Sequence, residues 1–591
     1  MAATVDTAGA GDEIKPYKIR VSSRYLELTK QKLELTRLPH EGAEPKSTDW
    51  WEPKPQVEPL VDFWLEKYSW RDQEATLNGT TPQFRTAISI PGSEIPLRLH
   101  FIHVRSPHSQ AVPLLLLPPF PFVNLALVHL IKSFTEPEDA VKDQPFHLVI
   151  PALPGLGFSD PFPNNTPEIS TTAGMLDSLM MRLSYQHYLV SNTGAAQSSP
   201  AEIDWKLVDH LSMHYPKSCV GAHFIAPPLA APKLTEAPLE WAKWTIANVL
   251  SSGILGYSKQ DFFALKQTTP SRAARAKGLT PAKFGLNQVG LREPNTFAYA
   301  MCDSPTGLLV FAMKGLSLLA PRMQLTPEQI ITFANLAWLP GPEYAMRFWA
   351  RCATEEEETA KDKKPLVNKP KVAVTVFLGG EDGATGDGST AQEVGEGAIR
   401  LETPVKVSMH ARYTCPAWAK TYYNVLFSQR APGHPGLLAW ERPELIMTGI
   451  RGLAKEVAKL DQRLEPAREQ TAEPLASVVV AEQTADAAAA QARDGGLKPP
   501  ERPSLGQGDS SRTRVGSPDE GLKPPDRPHL EQGNSSGTQV GSQPPSSPNG
   551  KELDAVPSEI EDDSKAQDGD DTVTPRPGTP DTVVQVRVAK P

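Results

Sequence analysis

The chain is poor in cysteine, with four among 591 residues: Cys219, Cys302, Cys352 and Cys415, without CxxC spacing or a paired cluster. That excludes a disulfide-stapled scaffold and a zinc ribbon, and it fits a reducing compartment. It also lacks an excess of positive charge. Sixty Lys and Arg against 69 Asp and Glu leave a net charge of −9, a field that draws in neither nucleic acid nor an anionic membrane. The start, MAATVDTAGAGDEIKPYK, has no basic stretch followed by an apolar one, so no secretory signal is read and a cytoplasmic location is expected. The most apolar stretch, 111–131, is broken by Pro113, Pro118, Pro119 and Pro121 and reads as a buried strand and loop instead of a membrane helix. The GxG of PGLGFSDP lacks a full GxGxxG, and the GKE at Lys551 lacks a P-loop, so no cofactor is expected. His100 and His103 alternate along a strand and read as packing residues, which leaves no metal site.

Proline, by contrast, is abundant: 59 residues, about twice the usual share, point to a part of the chain that does not fold. The sharpest change in composition falls near Leu464, after which Ala, Ser, Gly, Pro and acidic residues replace bulky apolar side chains. Residues 464–591 therefore read as a disordered tail, unable to bury enough apolar area to offset its ordering entropy. Within it, GLKPPERPSLGQGDSSRTRVGS at Gly496 recurs as GLKPPDRPHLEQGNSSGTQVGS at Gly521. Two polar, proline-rich copies make a duplicated disordered segment, not a solenoid, and a candidate contact for a protein partner. The closing DTVVQVRVAK alternates like a strand, a pattern that chance also produces.

Ahead of the tail, residues 22–37 and 60–68 carry apolar residues, Leu26, Leu33 and Trp64 among them, at helical spacing, as helices covering another domain would. From Val112 the pattern turns to short apolar runs: VPLLLL, FHLVIP, HYLV, VAVTVF and YNVLFS. Such continuous runs suit strands buried on both faces, with helices at 172–182 and 205–214 between them: an α/β sheet. Residues 226–364, rich in Trp, Phe, Leu and Ala at helical spacing, interrupt the strands and read as a helical cap over the carboxyl edge of the sheet, with a binding cavity beneath.

The motifs KPYKIRV, LELTRLPHE, DWW, LVDFWLEKYSWRDQEATLN, PQF and LRLHFIHVRS resemble, in order, the N-terminal domain of the microsomal-type epoxide hydrolases. FHLVIPALPGLGFSDP resembles that family's strand and glycine turn, EPNTFAYAMCDSPTGLLVF its cap signature, and APGHPGLLAWERPEL its catalytic-histidine segment. The resemblance spans 14–453. It implies an α/β-hydrolase fold with an N-terminal covering domain at 14–106, core halves at 107–225 and 365–463, the cap at 226–364 and the disordered tail outside it.

It also implies a chemistry: an Asp nucleophile opens an epoxide, water activated by a His and acid pair hydrolyses the ester, and two cap tyrosines polarise the epoxide oxygen. His434 stands in the base position, although its GHPGLLAWE segment is two residues longer than the family spacing. In place of the nucleophile motif stands HYLVSNTGAAQSS. Counting from the strand puts Gly194 there, and counting back from the following helix puts Glu202 there. Asp204 of EIDW is the foremost candidate, with Glu202, Ser198 and Ser199 as alternatives; the same residues also suit a helix N-cap and first turn. Phe120, in Pro118-Pro119-Phe120-Pro121, takes the place of the oxyanion tryptophan and keeps one backbone donor, with a cis bond to Pro121 implied by the resemblance. The cap tyrosines fall at about Leu286 and at Trp349, with Tyr344 nearby. The relay acid falls near His410 or Ala411, and Asp382 or Glu381 in FLGGEDG offers another. Two functions follow: hydrolysis of an apolar epoxide to a diol by a rebuilt elbow, or a catalytically silent fold that binds an apolar ligand or a partner.

Overall fold

The computed structural model describes residues 13–41, 51–268, 293–319, 323–354, 368–379, 399–401 and 413–464. Leu286, Glu381, Asp382, His410, Ala411 and the tail with its repeat lie outside them. The strands are β1 (Lys15–Pro16), β2 (Gln83–Ile88), β3 (Leu97–Val104), β4 (Val112–Leu117), β5 (Phe146–Pro151), β6 (Tyr188–Asn192), β7 (Cys219–Ile225), β8 (Gln324–Leu325), β9 (Lys371–Phe377), β10 (Ile399–Arg400) and β11 (Asn424–Ala431). Nine of them form one sheet in the order β1-β2-β3-β5-β4-β6-β7-β9-β11. Pairing is antiparallel from β1 to β5 and parallel from there to β11. Leu114 to Leu117 on β4 and Leu189 and Val190 on β6 are fully buried, as continuous apolar strings must be where a parallel sheet is covered on both faces.

Helices α1 (Ser23–Glu34), α2 (Lys54–Glu66) and α3 (Trp70–Thr80) lie between β1 and β2; α4 (Ile131–Thr135), α5 (Glu168–Arg182) and α6 (Ile203–His214) connect later strands. Between β7 and β9 come α7 (Pro238–Leu250), α8 (Lys259–Thr268), α9 (Pro294–Asp303), α10 (Pro305–Leu319), α11 (Pro327–Trp338) and α12 (Glu343–Thr354), the expected helical insertion. After β11 follow the short α13 (Leu438–Glu441) and α14 (Pro443–Leu460), which packs across β7, β9 and β11. The covering role of the N-terminal helices has a definite target. Leu33, Val57, Leu60 and Trp64 share an apolar cluster with Leu309, Met313, Ile330 and Ile331 of α10 and α11.

Two ion pairs tie the cap to the core, one to a strand and one to a helix. Arg430 on β11 makes a two-pronged contact with Asp261 on α8, at 2.7 and 2.9 Å, and the Tyr413 hydroxyl donates to the same carboxylate. Arg351 on α12 donates to Glu168 on α5 at 2.8 Å. His100 and His103 are packing residues: His100 contacts Gln83 and Asn124, His103 contacts Tyr185 Oη, and burial pushes both imidazoles down to about 3, keeping them neutral. Among the described residues no helix is long and apolar enough to cross a membrane.

Candidate active site

β6 ends at Asn192, and the chain turns through Thr193 and Gly194 at the carboxyl edge of the sheet. Thr193 Oγ1 donates to Leu117 O at 2.8 Å and Asn192 Nδ2 to Gly194 O at 2.6 Å, which pins the turn against the end of β4. Two 3-10 turns follow, Ala196–Ser198 and Pro200–Glu202, and then α6 begins. Ala201 and Glu202 both adopt left-handed backbone, φ 54 and 56, a conformation L-residues with a Cβ rarely take. That reversal carries the first turn of α6 back toward the end of β6.

The consequence is that Asp204 puts its carboxyl where an elbow side chain would be. A Cβ built on Gly194 would stand 3.0 Å from Asp204 Oδ2 and 2.8 Å from Pro119 Cβ. Asp204 Oδ1 accepts the Phe120 N–H at 2.9 Å, and its own N–H reaches Ser199 Oγ at 3.4 Å. Oδ2 is buried and makes no hydrogen bond with the protein. Burial raises the carboxyl to about 7, against the lowering effects of the Phe120 amide and the Ser199 hydroxyl. The Phe120 N–H therefore points at the Asp204 carboxylate, its bond to Pro121 is cis, and its ring stacks on Phe348 of α12 at 6.0 Å between centroids.

Two spaces meet here. A niche of about 20 Å³ is lined by Asp204, Gly194, Thr193, Ser198 and Ser199, and by Gly436 and Leu437. Beside it an apolar cavity of about 130 Å³ lies between cap and sheet, walled by Phe122, Phe311, Phe333, Met346 and Trp349 among others. Phe120 and Leu319 line both. Every side chain around the larger cavity is hydrocarbon, thioether or indole, which suits an apolar ligand.

The remaining candidates separate. His434 is half-buried on the loop after β11, where Gly433 bridges Gly379 at the end of β9. The loop residues that line the niche are Gly436 to Leu438; His434 does not line it. Glu202 is the left-handed residue before α6 and lines neither space, so the backward count does not lead to a carboxylate in the site. Ser198 and Ser199 do line the niche. Trp349 faces the apolar cavity at the place expected of a tyrosine, whereas Tyr344 packs against Gly155, whose added Cβ would stand 2.9 Å from Tyr344 Cβ. Leu319 and Phe333, which close the site, carry no local motif; only apolar periodicity along α10 and α11 pointed toward them.

Residues 14–127 match the family described as "Epoxide hydrolase N terminus". Over 455 residues, 74% of this chain and 84% of the other, the chain is 28% identical to a putative epoxide hydrolase of Stigmatella aurantiaca. It is 24% identical to juvenile hormone epoxide hydrolase 1 of Ctenocephalides felis over 343 residues, 55% of this chain and 61% of that protein. In fold it is similar to the crystal structure of juvenile hormone epoxide hydrolase from the silkworm Bombyx mori, with a TM-score of 0.56 at 20% identity, covering 76% of this chain and 96% of that one.

Proposed function

Since this chain is a member of the microsomal-type epoxide hydrolase family with an α/β-hydrolase fold, we propose that it hydrolyses an apolar epoxide to a vicinal diol, with Asp204 as the carboxylate on which ring opening depends. The observation that carries this reading is the Asp204 carboxyl itself. One oxygen is held by the Phe120 amide, and the other is buried without a protein partner beside the apolar cavity. A fixed N–H on one oxygen orients the carboxyl and stabilises negative charge on it, as an oxyanion donor does. His434 is the candidate base for any ester formed, and Asp382 its candidate orienting acid. The cap supplies shape and exclusion of water in place of specific polar contacts.

Diol formation from a panel of aryl and alkyl epoxides tests the reading, with the full chain, Asp204→Asn and His434→Ala compared. Activity that survives Asp204→Asn unchanged refutes it. A second reading, an apolar-ligand binder without turnover, is favoured by one observation: an indole, Trp349, stands where a phenol would polarise the epoxide oxygen. Saturable binding of the same epoxides without diol release by the wild-type chain selects that reading. A cytoplasmic location and a protein partner for the repeat-bearing tail belong to the same proposal, and co-purification with the isolated repeat segment tests the latter.

A further inference from the structure

We propose that Asp204 acts on water and not on carbon: the niche at its Oδ2 holds one water molecule, which attacks an epoxide seated in the adjoining apolar cavity. This rests on the reading above and sets the route by which that site works.

The spatial relation of the two spaces is the first ground. Asp204 lines the niche but not the apolar cavity, and Phe120 and Leu319 line both. An epoxide lodged among Phe311, Phe333 and Trp349 therefore sits in a space that Asp204 does not line but that shares walls with the niche it does line. A volume of about 20 Å³ admits a single water, for which roughly 10–15 Å³ suffices. Such a water needs two to four polar partners. Besides Asp204, whose Oδ2 has no hydrogen-bond partner, the niche is lined by the polar residues Ser198, Ser199 and Thr193, and the Thr193 hydroxyl, which donates its own proton to Leu117 O, has only its acceptor side left to offer. The second ground is that a covalent ester would need its own base, and the residues that close the niche from the His434 loop are Gly436 to Leu438. The raised carboxyl adds support, because a base works best when its pKa lies near the working pH.

The step balances with water as the sole co-reactant. One O–H bond of the water breaks and its proton passes to Asp204 Oδ2. The water oxygen bonds to one epoxide carbon while that carbon's bond to the ring oxygen breaks and leaves an alkoxide. The proton on Asp204 then passes to the alkoxide, which gives the diol and restores the carboxylate.

Oxygen labelling separates this route from an ester. The full chain, in excess over styrene oxide, is run for a single turnover in H2 18O, and the Asp204 peptide is weighed after many turnovers. The expected result is a first-turnover diol carrying one 18O and an unlabelled Asp204. An unlabelled first diol with 18O in the Asp204 peptide overturns the proposal and leaves the diol-forming reading intact. No diol at all from the wild-type chain overturns both. Gly194→Ala places a methyl 3.0 Å from Oδ2, inside the niche, and is expected to lower kcat at least 100-fold while apolar binding in the cap persists. Wild-type kcat in that variant also overturns the proposal.

Discussion

Replacing Asp204 by Asn removes a proton-linked cost that the fold carries at neutral pH. The carboxyl is raised by burial from near 3.8 to about 7, and the side chain is 1% exposed, so solvent does not screen the effect. Below pH 4 both the folded and the unfolded chain hold the proton, and the group is neutral to stability. Between pH 4 and 7 the unfolded chain releases it while the folded chain keeps it, so stability falls as pH rises and levels off above about 7. Each pKa unit is worth about 1.4 kcal/mol, so the loss amounts to roughly 4 kcal/mol. Asn keeps an oxygen to accept the Phe120 N–H and never ionises. Urea unfolding of both proteins at pH 5 and pH 8.5 measures the difference. The variant is expected to gain on the wild type by roughly 2.5 kcal/mol between the two pH values. A gap that does not change with pH refutes the buried, partnerless placement of Oδ2.

The same ionisation sets activity: kcat/KM for diol formation is expected to rise with pH and flatten above about 7, and a flat profile from pH 5 to 9 excludes Asp204 as the acting carboxylate. Trp349→Tyr supplies the cavity with a phenol to donate to the developing alkoxide and is expected to raise kcat by roughly 10²-fold, read in the same diol assay. Asp261→Ala leaves the Arg430 guanidinium buried without its carboxylate and is expected to cost about 3–5 kcal/mol in urea unfolding. A loss below 1 kcal/mol there means that the cap does not depend on the pair.

The strands were legible because a parallel sheet covered on both faces demands unbroken apolar strings: VPLLLL became β4 and FHLVIP became β5 with those limits. The helix read from 172 begins earlier, at Glu168, since its polar first turn is buried by the contact of Glu168 with Arg351, a partner 183 positions away that local pattern cannot show. The cap insertion followed from composition and helical spacing. The position of Asp204 did not. It depends on Ala201 and Glu202 taking left-handed backbone, which neither residue type favours, so the loop's length was visible while its direction was not. For His434 the motif located the loop, and tertiary packing then brought its glycine and leucines, not the imidazole, to the niche.

Gly194 and Asp204 are best understood as one arrangement. Taken alone, a glycine at the elbow looks like the loss of a nucleophile, and a carboxylate in the first turn of α6 looks like an ordinary helix start. Together they occupy a single volume: any Cβ at 194 meets Pro119 Cβ at 2.8 Å and Oδ2 of Asp204 at 3.0 Å. An acidic side chain at 194 would bring a second carboxylate against the first in a site with one amide donor, and like charges that close cannot both ionise. The lengthened loop, the left-handed pair and the missing side chain therefore depend on one another. The chemistry open to this site follows from a carboxyl that arrives from the helix, with its unpartnered oxygen turned toward a niche the size of one water.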